Sequence, residues 1–307
     1  MIKVARVRVS KSIVGGCSSR QKFPHLALLS VCLVALALRL GIAVALPTLY
    51  YGDETFQTVE QAHRLTYGTG ITPWEFVEGM RSWLLPGGLA GAMKVGEWLF
   101  GSNHGHVLGV MVFLALLSMA PVVCAFLWAY RENRTTGAGV LAGLACAVWF
   151  ELVYFGPKAL AEVVASHLLL FGYYLAQRDA EGPRGLGPVL AGVTLGLAVA
   201  IRPHLVPPTL LILVWTSHRA GFEWSVRVSL GTVMAVLGAG VLDWITWGLP
   251  FHSYWTYLRL NVLESGADKF GVSPWHYYFV WLIETWSWGL PVVAGLVLWG
   301  EIGRAHV

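Results

Sequence analysis

The sequence predicts an all-α protein that crosses a membrane many times, on three observations: composition, the length of its apolar runs and the placement of its basic residues. Of 307 residues, 56% are hydrophobic and 12% charged, roughly half the charge of an ordinary soluble domain. Mean hydropathy is +0.62. A soluble core has no room for so much apolar surface. Crossing a bilayer takes about 20 apolar residues, and shorter runs are tolerated where helices break or re-enter. Such runs lie at 26–46, 105–129, 137–156, 159–177, 187–201, 205–217, 228–247 and 277–299. The expectation is therefore about eight transmembrane or half-membrane helices, with 187–201 and 205–217 short enough to be half-helices.

The N-terminal tail carries Lys3, Arg6, Arg8, Lys11, Arg20 and Lys22, and so basic a tail stays cytoplasmic. The first apolar run is long, contains Arg39 and lacks a clear small-residue cleavage site, so it reads as an anchor and not as a signal peptide. Counting alternately, Arg131 and Arg134, Arg178 and Arg184, and Arg219 and Arg227 all fall inside. The connections 47–104 and 248–276 then face outward. A pI near 8.9 follows largely from the basic tail and reports topology and anionic headgroups, not nucleic acid. The expected place is an integral, multi-pass one, in a bacterial inner membrane or an endoplasmic reticulum. Cys17 lies in the tail and Cys32, Cys124 and Cys146 lie in spans. That arrangement implies no disulfide and no thiolate metal site.

With no internal repeat and no low-complexity linker, residues 1–300 read as one transmembrane domain. Residues 301–307 can be encoded by a common sequencing adapter read in frame, so they are expected to be non-native and the domain incomplete at its C-terminus.

The polar residues concentrate in the two outward connections. The first holds Tyr51-Gly52-Asp53-Glu54-Thr55-Phe56-Gln57, then Glu60, His63 and Tyr67-Gly68-Thr69-Gly70. Thr72-Pro73-Trp74-Glu75-Phe76 and Arg81-Ser82-Trp83-Leu84 follow. Spacing from Thr55 to Tyr67 predicts a short amphipathic helix with Phe56, Val59, Ala62 and Leu65 on or near one face. Such a helix lies along the membrane surface, which puts Asp53 and Glu54 at its N-terminus, where water meets lipid. A carboxylate there suits sugar transfer from a lipid phosphate. The leaving group is already anionic, so the missing ingredient is a base for the acceptor hydroxyl. The competing reading has Asp53 or Glu54 simply capping the helix. Glu60 and Arg64, four apart, read as a surface ion pair.

The run Gly-Asp-Glu-x-Phe-Gln-x-x-Glu-x-x-His, followed by Tyr-Gly-x-Gly, Thr-x-Trp-Glu and Arg-Ser-Trp-Leu, resembles the start of glycosyltransferase family 22. That family includes the polyprenyl-phosphate-mannose-dependent mannosyltransferases of GPI-anchor and N-glycan assembly. The resemblance resumes at Asn261-Val262-Leu263-Glu264, Phe270-Gly271 and Pro274-Trp275-His276-Tyr277-Tyr278. Tyr51-Gly52 and Ser273-Pro274 stand where the family usually has His-Pro.

The resemblance implies a GT-C architecture, with a long first outward loop of interfacial helices and a polyprenyl-phosphate sugar donor entering from the membrane lipid. It implies Asp53 as base with Glu54 as neighbour, and an acceptor that is a glycan or glycolipid. Substrate contacts are expected from Glu60, His63, Trp74, Glu75, Arg81, Trp275 and His276. Arg202 is the first choice for the donor phosphate, with Arg81 and Lys269 as alternatives.

Other features weigh less. Arg202-Pro203-His204 interrupts two apolar runs, as either a turn at the interface or a half-helix end facing a ligand. Lys158 and Glu162, one turn apart, could pair. His104 and His106 offer two metal ligands without an acid cluster, so no metal site is expected; a divalent cation would reach Asp53 and Glu54 only with outside help. Intramembrane charge also marks transporters of lipids or solutes. The absence of inverted repeats and the acidic loop motif favour an enzyme.

Overall fold

The computed structural model describes residues 24–46, 51–101, 104–177, 185–266, 268, 271–287 and 289–305. Every regular element among them is helical. In order they are α1 (His25–Ala45), α2 (Gly52–Glu54), α3 (Glu60–Tyr67), α4 (Trp74–Val77), α5 (Leu84–Phe100), α6 (Gly105–Leu117) and α7 (Ala120–Asn133). Then come α8 (Thr136–Val148), α9 (Phe150–Phe155), α10 (Ala161–Ala176), α11 (Gly187–Ile201), α12 (Val206–Ala220) and α13 (Phe222–Trp247). The last are α14 (His252–Leu258), α15 (Tyr277–Trp286) and α16 (Gly289–Ala305).

The chain is a polytopic membrane protein. Three helical stretches, His25–Ala45, Gly105–Asn133 and Phe222–Trp247, are long and apolar enough to cross alone among the described residues. A bent pair, Tyr277–Trp286 with Gly289–Leu298, makes up to four. Among the described residues every predicted apolar run is mainly helical, but α8, α10 and α11 have 13, 16 and 15 residues. At 1.5 Å per residue these reach about 20–24 Å, short of a hydrocarbon core of about 30 Å. Length alone thus gives three or four full spans among the described residues and does not confirm the expected count of about eight transmembrane or half-membrane helices. As expected of a half-helix, α11 is short. The 47–104 connection, expected to hold interfacial helices, also contains α5, an apolar helix of 17 residues whose bounds were not anticipated.

Two compact units divide the described residues, one within Met1–Ile71 and Leu84–Gly238, the other within Thr72–Trp83 and Ala239–Val307. In the first, α10 packs along α11, α5 along α6, and α7 along α8, which also receives α1. Small residues let these backbones approach. A Cβ on Gly96 of α5 would run into the Gly105 carbonyl of α6, and one on Gly192 of α11 into the Val228 carbonyl of α13. In lipid, where apolar side chains gain little by leaving their surroundings, such close backbone packing holds helices together. Beneath the candidate site, Ala62, Leu89, Met93, Val110, Leu114 and Ala159 form one buried cluster.

Arg39 of α1 is fully buried. It donates to the carbonyls of Ala147 at 3.3 Å and Cys146 at 3.5 Å, in the last turn of α8. Helix ends leave such carbonyls without an intrahelical partner, and a cation there also meets the negative end of the helix dipole.

In the second unit Phe76, Trp83 and Trp247 pack edge and face, with ring centroids 4.8 to 6.4 Å apart. Gly79 has φ +71°, and a Cβ there would strike the His252 ring. Asp243 is fully buried and accepts from the Ser253 amide at 2.9 Å and hydroxyl at 2.6 Å. Burial, with the Asp243 charge adding to it, pushes the Tyr254 phenol above its ordinary range.

Candidate functional site

The first acidic motif folds as one helical stretch whose middle, Thr55–Val59, is a π-helical turn. Its wider winding redirects side chains, and single π turns inside helices recur at functional sites. Here the buried face is Glu54, Gln57, Thr58, Gln61 and Ala62, while Phe56 and Leu65 are exposed. The stripe predicted from ordinary helical spacing is thus split by the changed register. Polar side chains take the backbone acceptors. Gln61 Nε2 donates to the Phe56 carbonyl at 2.8 Å and to that of Ile71 at 3.0 Å. Thr58 Oγ1 bridges the carbonyls of Glu54 at 2.5 Å and Ala159 at 2.8 Å, which joins the motif to the α9–α10 connection.

A cavity of about 360 Å³ opens there, lined by Glu54, Glu60, His63, His106 and Lys158 over the apolar floor of Met93, Val110 and Leu114. Lys158 Nζ stands 3.8 Å from Glu54 Oε1, with both side chains buried, and 5.3 Å from the centre of the Tyr154 ring. Glu60 Oε1 accepts from the Ile71 amide at 2.7 Å. Gly70, at φ +141°, makes that reach possible, because a Cβ would collide with Glu60 and Arg64. His63 Nδ1 lies 3.0 Å from the Thr69 carbonyl. A carbonyl only accepts, so Nδ1 is the donor in this contact. Beside it, Tyr67 donates to Glu97, and Lys94 reaches Glu97 at 3.1 Å. Desolvation and that bond push the Tyr67 phenol up to about 12. The bond from Tyr67 in turn holds Glu97 below its ordinary value.

Asp53 is exposed, one residue before the buried Glu54. The N-cap position of this stretch belongs to Tyr51, extended and without a capping side chain, so neither acid is the cap and both occupy the first turn. Two predicted pairings are exchanged. Glu60 bonds the Ile71 amide while Arg64 donates to Gln61 at 2.6 Å, and no Glu60–Arg64 pair forms. Glu162 pairs with Arg202 at 2.5 Å and not with Lys158. Arg202 is buried where α11 ends, before the 3₁₀ turn Pro203–Leu205.

In the other unit Glu75 is buried, 4.0 Å from Arg81, and Trp74 is half exposed. Trp275 and His276 are exposed side by side, with ring centroids 6.0 Å apart. A second π turn, Arg259–Leu263, contains Asn261. Lys269 lies outside the described residues. Among the described residues no group of three or more His, Cys, Asp or Glu side chains is placed to hold a metal ion. Lys158 and His106 are the cavity residues that sequence reasoning left out of the site. The available signal was a lysine and a histidine retained at the edges of apolar runs.

The model of the Alg9-like mannosyltransferase family matches residues 30–299, which takes in both π turns and every residue lining the cavity. The chain belongs to that family. The resemblance read from the Asp53-Glu54 motif is borne out. Among the relatives of this Alg9-like family member, GPI mannosyltransferase 3 of Drosophila melanogaster is 28% identical over 273 residues, covering 88% of the chain and 45% of that protein. GPI alpha-1,2-mannosyltransferase 3 of Bos taurus is 28% identical, covering 86% and 48%. GPI mannosyltransferase 3 of Yarrowia lipolytica is 26% identical, covering 91% and 54%. The Alg9-like chain thus spans about half the length of the curated relatives it matches. No solved structure matches it.

Proposed function

We propose that this protein moves a mannosyl residue from a polyprenyl-phosphate donor to a glycan or glycolipid acceptor on the outer or lumenal side of its membrane, with inversion. The observation that carries the reading is the pair Asp53-Glu54: one carboxylate exposed, the next buried in a cavity with Lys158. Membership of the Alg9-like family and the names of the relatives support mannose as the sugar. In the reaction the acceptor oxygen attacks the sugar's anomeric carbon from the face opposite the phosphate. Asp53 takes the hydroxyl proton, the bond from that carbon to the phosphate oxygen breaks, and polyprenyl phosphate leaves with the electron pair. No acid is needed to expel so stable an anion; a base and a cation near the phosphate suffice. Glu54, held against Lys158, keeps the first turn in place beside the base. Arg202 is the cation assigned to the phosphate, as a planar fork suits phosphate oxygens.

The test is Asp53→Asn in the complete gene, which keeps shape and removes proton acceptance. Transfer from polyprenyl-phosphate mannose should fall by at least about 10²-fold with normal membrane insertion, and full activity would reject Asp53 as base. Use of GDP-mannose without a polyprenyl-phosphate-mannose synthase would refute the donor. Orientation is tested separately: Thr69→Cys should react with an impermeant thiol reagent added outside, and Asn133→Cys should not. The opposite labelling would invert the loop assignment.

A further inference from the structure

We infer that Thr58 is a positioning residue: through one hydroxyl it sets the Glu54–Lys158 pair, and so the first turn that presents Asp53, an assignment that rests on the proposed reaction. Thr58 is 3% exposed. Its Oγ1 lies 2.5 Å from the Glu54 carbonyl and 2.8 Å from the Ala159 carbonyl. A hydroxyl has one proton, so two backbone segments far apart in sequence share a single donor. The two carbonyls belong to Glu54 itself and to Ala159, the neighbour of Lys158. The pair does not fix its own geometry. Lys158 Nζ and Glu54 Oε1 stand 3.8 Å apart, beyond the roughly 2.7–2.9 Å of a charge-assisted hydrogen bond. Attraction at that distance draws the side chains together without dictating where either backbone lies. Lys158 sits in the connection between α9 and α10, outside any helix, where no repeating ladder holds the chain. The Thr58 bonds are shorter and directional, and they tie this connection to the acidic motif.

Thr66, further along the same helical stretch, shows what an ordinary threonine does here. Its Oγ1 donates to the Ala62 carbonyl four residues back at 2.8 Å, with the Met93 sulfur 3.9 Å away. Such a back-bond is local and leaves the helix much as it was. Thr58 makes the same back-bond to Glu54 and adds a strong acceptor from another segment. Without that hydroxyl the Ala159 carbonyl loses a donor at a buried place, where water does not readily replace it. The connection then shifts and Lys158 moves off Glu54. A buried carboxylate that loses a cation turns toward water, and Asp53, the residue before it, turns with the same backbone. Misplacement of a reacting group by about 1 Å lowers a rate by up to about 10²-fold.

The test compares Thr58→Val, Thr58→Ser and Thr66→Val in the complete gene, with the proteins purified into lipid nanodiscs. Thr58→Val keeps the shape and removes the donor. Its kcat for transfer from polyprenyl-phosphate mannose should fall about 30-fold, with KM for the donor within about twofold of the parent. Thr58→Ser keeps the donor and should return kcat to within about threefold, and Thr66→Val should leave kcat unchanged. A double-mutant cycle separates positioning from general loosening: added to Lys158→Met, Thr58→Val should lower kcat by less than about threefold more. The pair is also read without sugar transfer. Lys158, whose side chain is 10% exposed, should be acetylated by a water-soluble ester about tenfold faster in Thr58→Val than in the parent or in Thr58→Ser. If Thr58→Val does not fold, Thr58→Cys, whose thiol is a weak donor, takes its place in both readouts. Equal losses in Thr58→Val and in either Thr58→Ser or Thr66→Val, additive losses with Lys158→Met, or unchanged Lys158 reactivity in Thr58→Val overturns the assignment. Faster Lys158 acetylation in a protein whose parent transfers no sugar from this donor removes the proposed reaction and keeps Thr58 as the residue that sets the pair.

Discussion

Among the described residues two arginines, Arg39 and Arg202, lie buried in the apolar part of this chain, and they are held in opposite ways. The hydrogen-bond acceptors of Arg39 among the described residues are all carbonyl oxygens, those of Ala35, Cys146 and Ala147. Arg202 is held by one half-exposed carboxylate, that of Glu162. Backbone carbonyls cannot move away, so Arg39 fastens α1 to the end of α8. A side-chain carboxylate can rotate into water, so Arg202 can change partner. A charge kept in an apolar segment always has a reason, and the kind of partner tells which reason applies.

The largest effect should come from Arg39→Met, which keeps volume and strands the α8 carbonyls. About 2–5 kcal/mol of stability should be lost, seen as a lower yield of folded protein and a lower melting temperature, with transfer per folded molecule unchanged. Reduced transfer at unchanged stability would erase the contrast. Arg202→Ala should do the reverse, leaving the folded yield near normal and lowering transfer about 10²-fold. Arg202→Lys should recover part of that loss, since it restores charge without the planar fork. Glu162→Gln removes the competitor for Arg202, and KM for the donor should fall about threefold, the scale of an exposed ion pair. An increased KM would mean that Glu162 orients Arg202 for the phosphate.

The smallest effect belongs to the exposed Tyr67–Glu97 bond, a surface reference for both arginines. Glu97 lies below its ordinary value, chiefly through the Tyr67 hydrogen bond. Its contribution is complete above about pH 4.3 and is lost as pH falls through the lower folded value. The Tyr67 phenol, raised to about 12, contributes fully below about pH 10 and loses that as pH rises through 12. Melting temperature against pH should therefore fall slightly at both ends. Tyr67→Phe and Glu97→Gln should each flatten both limbs, and an acid limb that persists in Glu97→Gln would place its origin elsewhere.

From residues alone came the membrane class, the helical identity of every apolar run and the family of the Asp53-Glu54 motif. Apolar length and the order of rare residues are local properties, readable without knowing what folds against what. Partnership was not readable in that way. Local spacing paired Glu60 with Arg64 and Lys158 with Glu162, yet the structure gives Glu60 to the Ile71 amide and Glu162 to Arg202. Arg202 is forty residues from Glu162 in sequence, and only the packing of α10 against α11 brings them together. The π turn at Thr55–Val59 likewise depends on Thr58 and Gln61 finding carbonyls at Ala159 and Ile71. A wider helical turn leaves backbone acceptors to be satisfied, and distant segments decide whether that happens. Lys158 and His106 joined the cavity for the same reason: a pocket is made by the approach of α5, α6 and the α9–α10 connection, and no one stretch of sequence contains that approach.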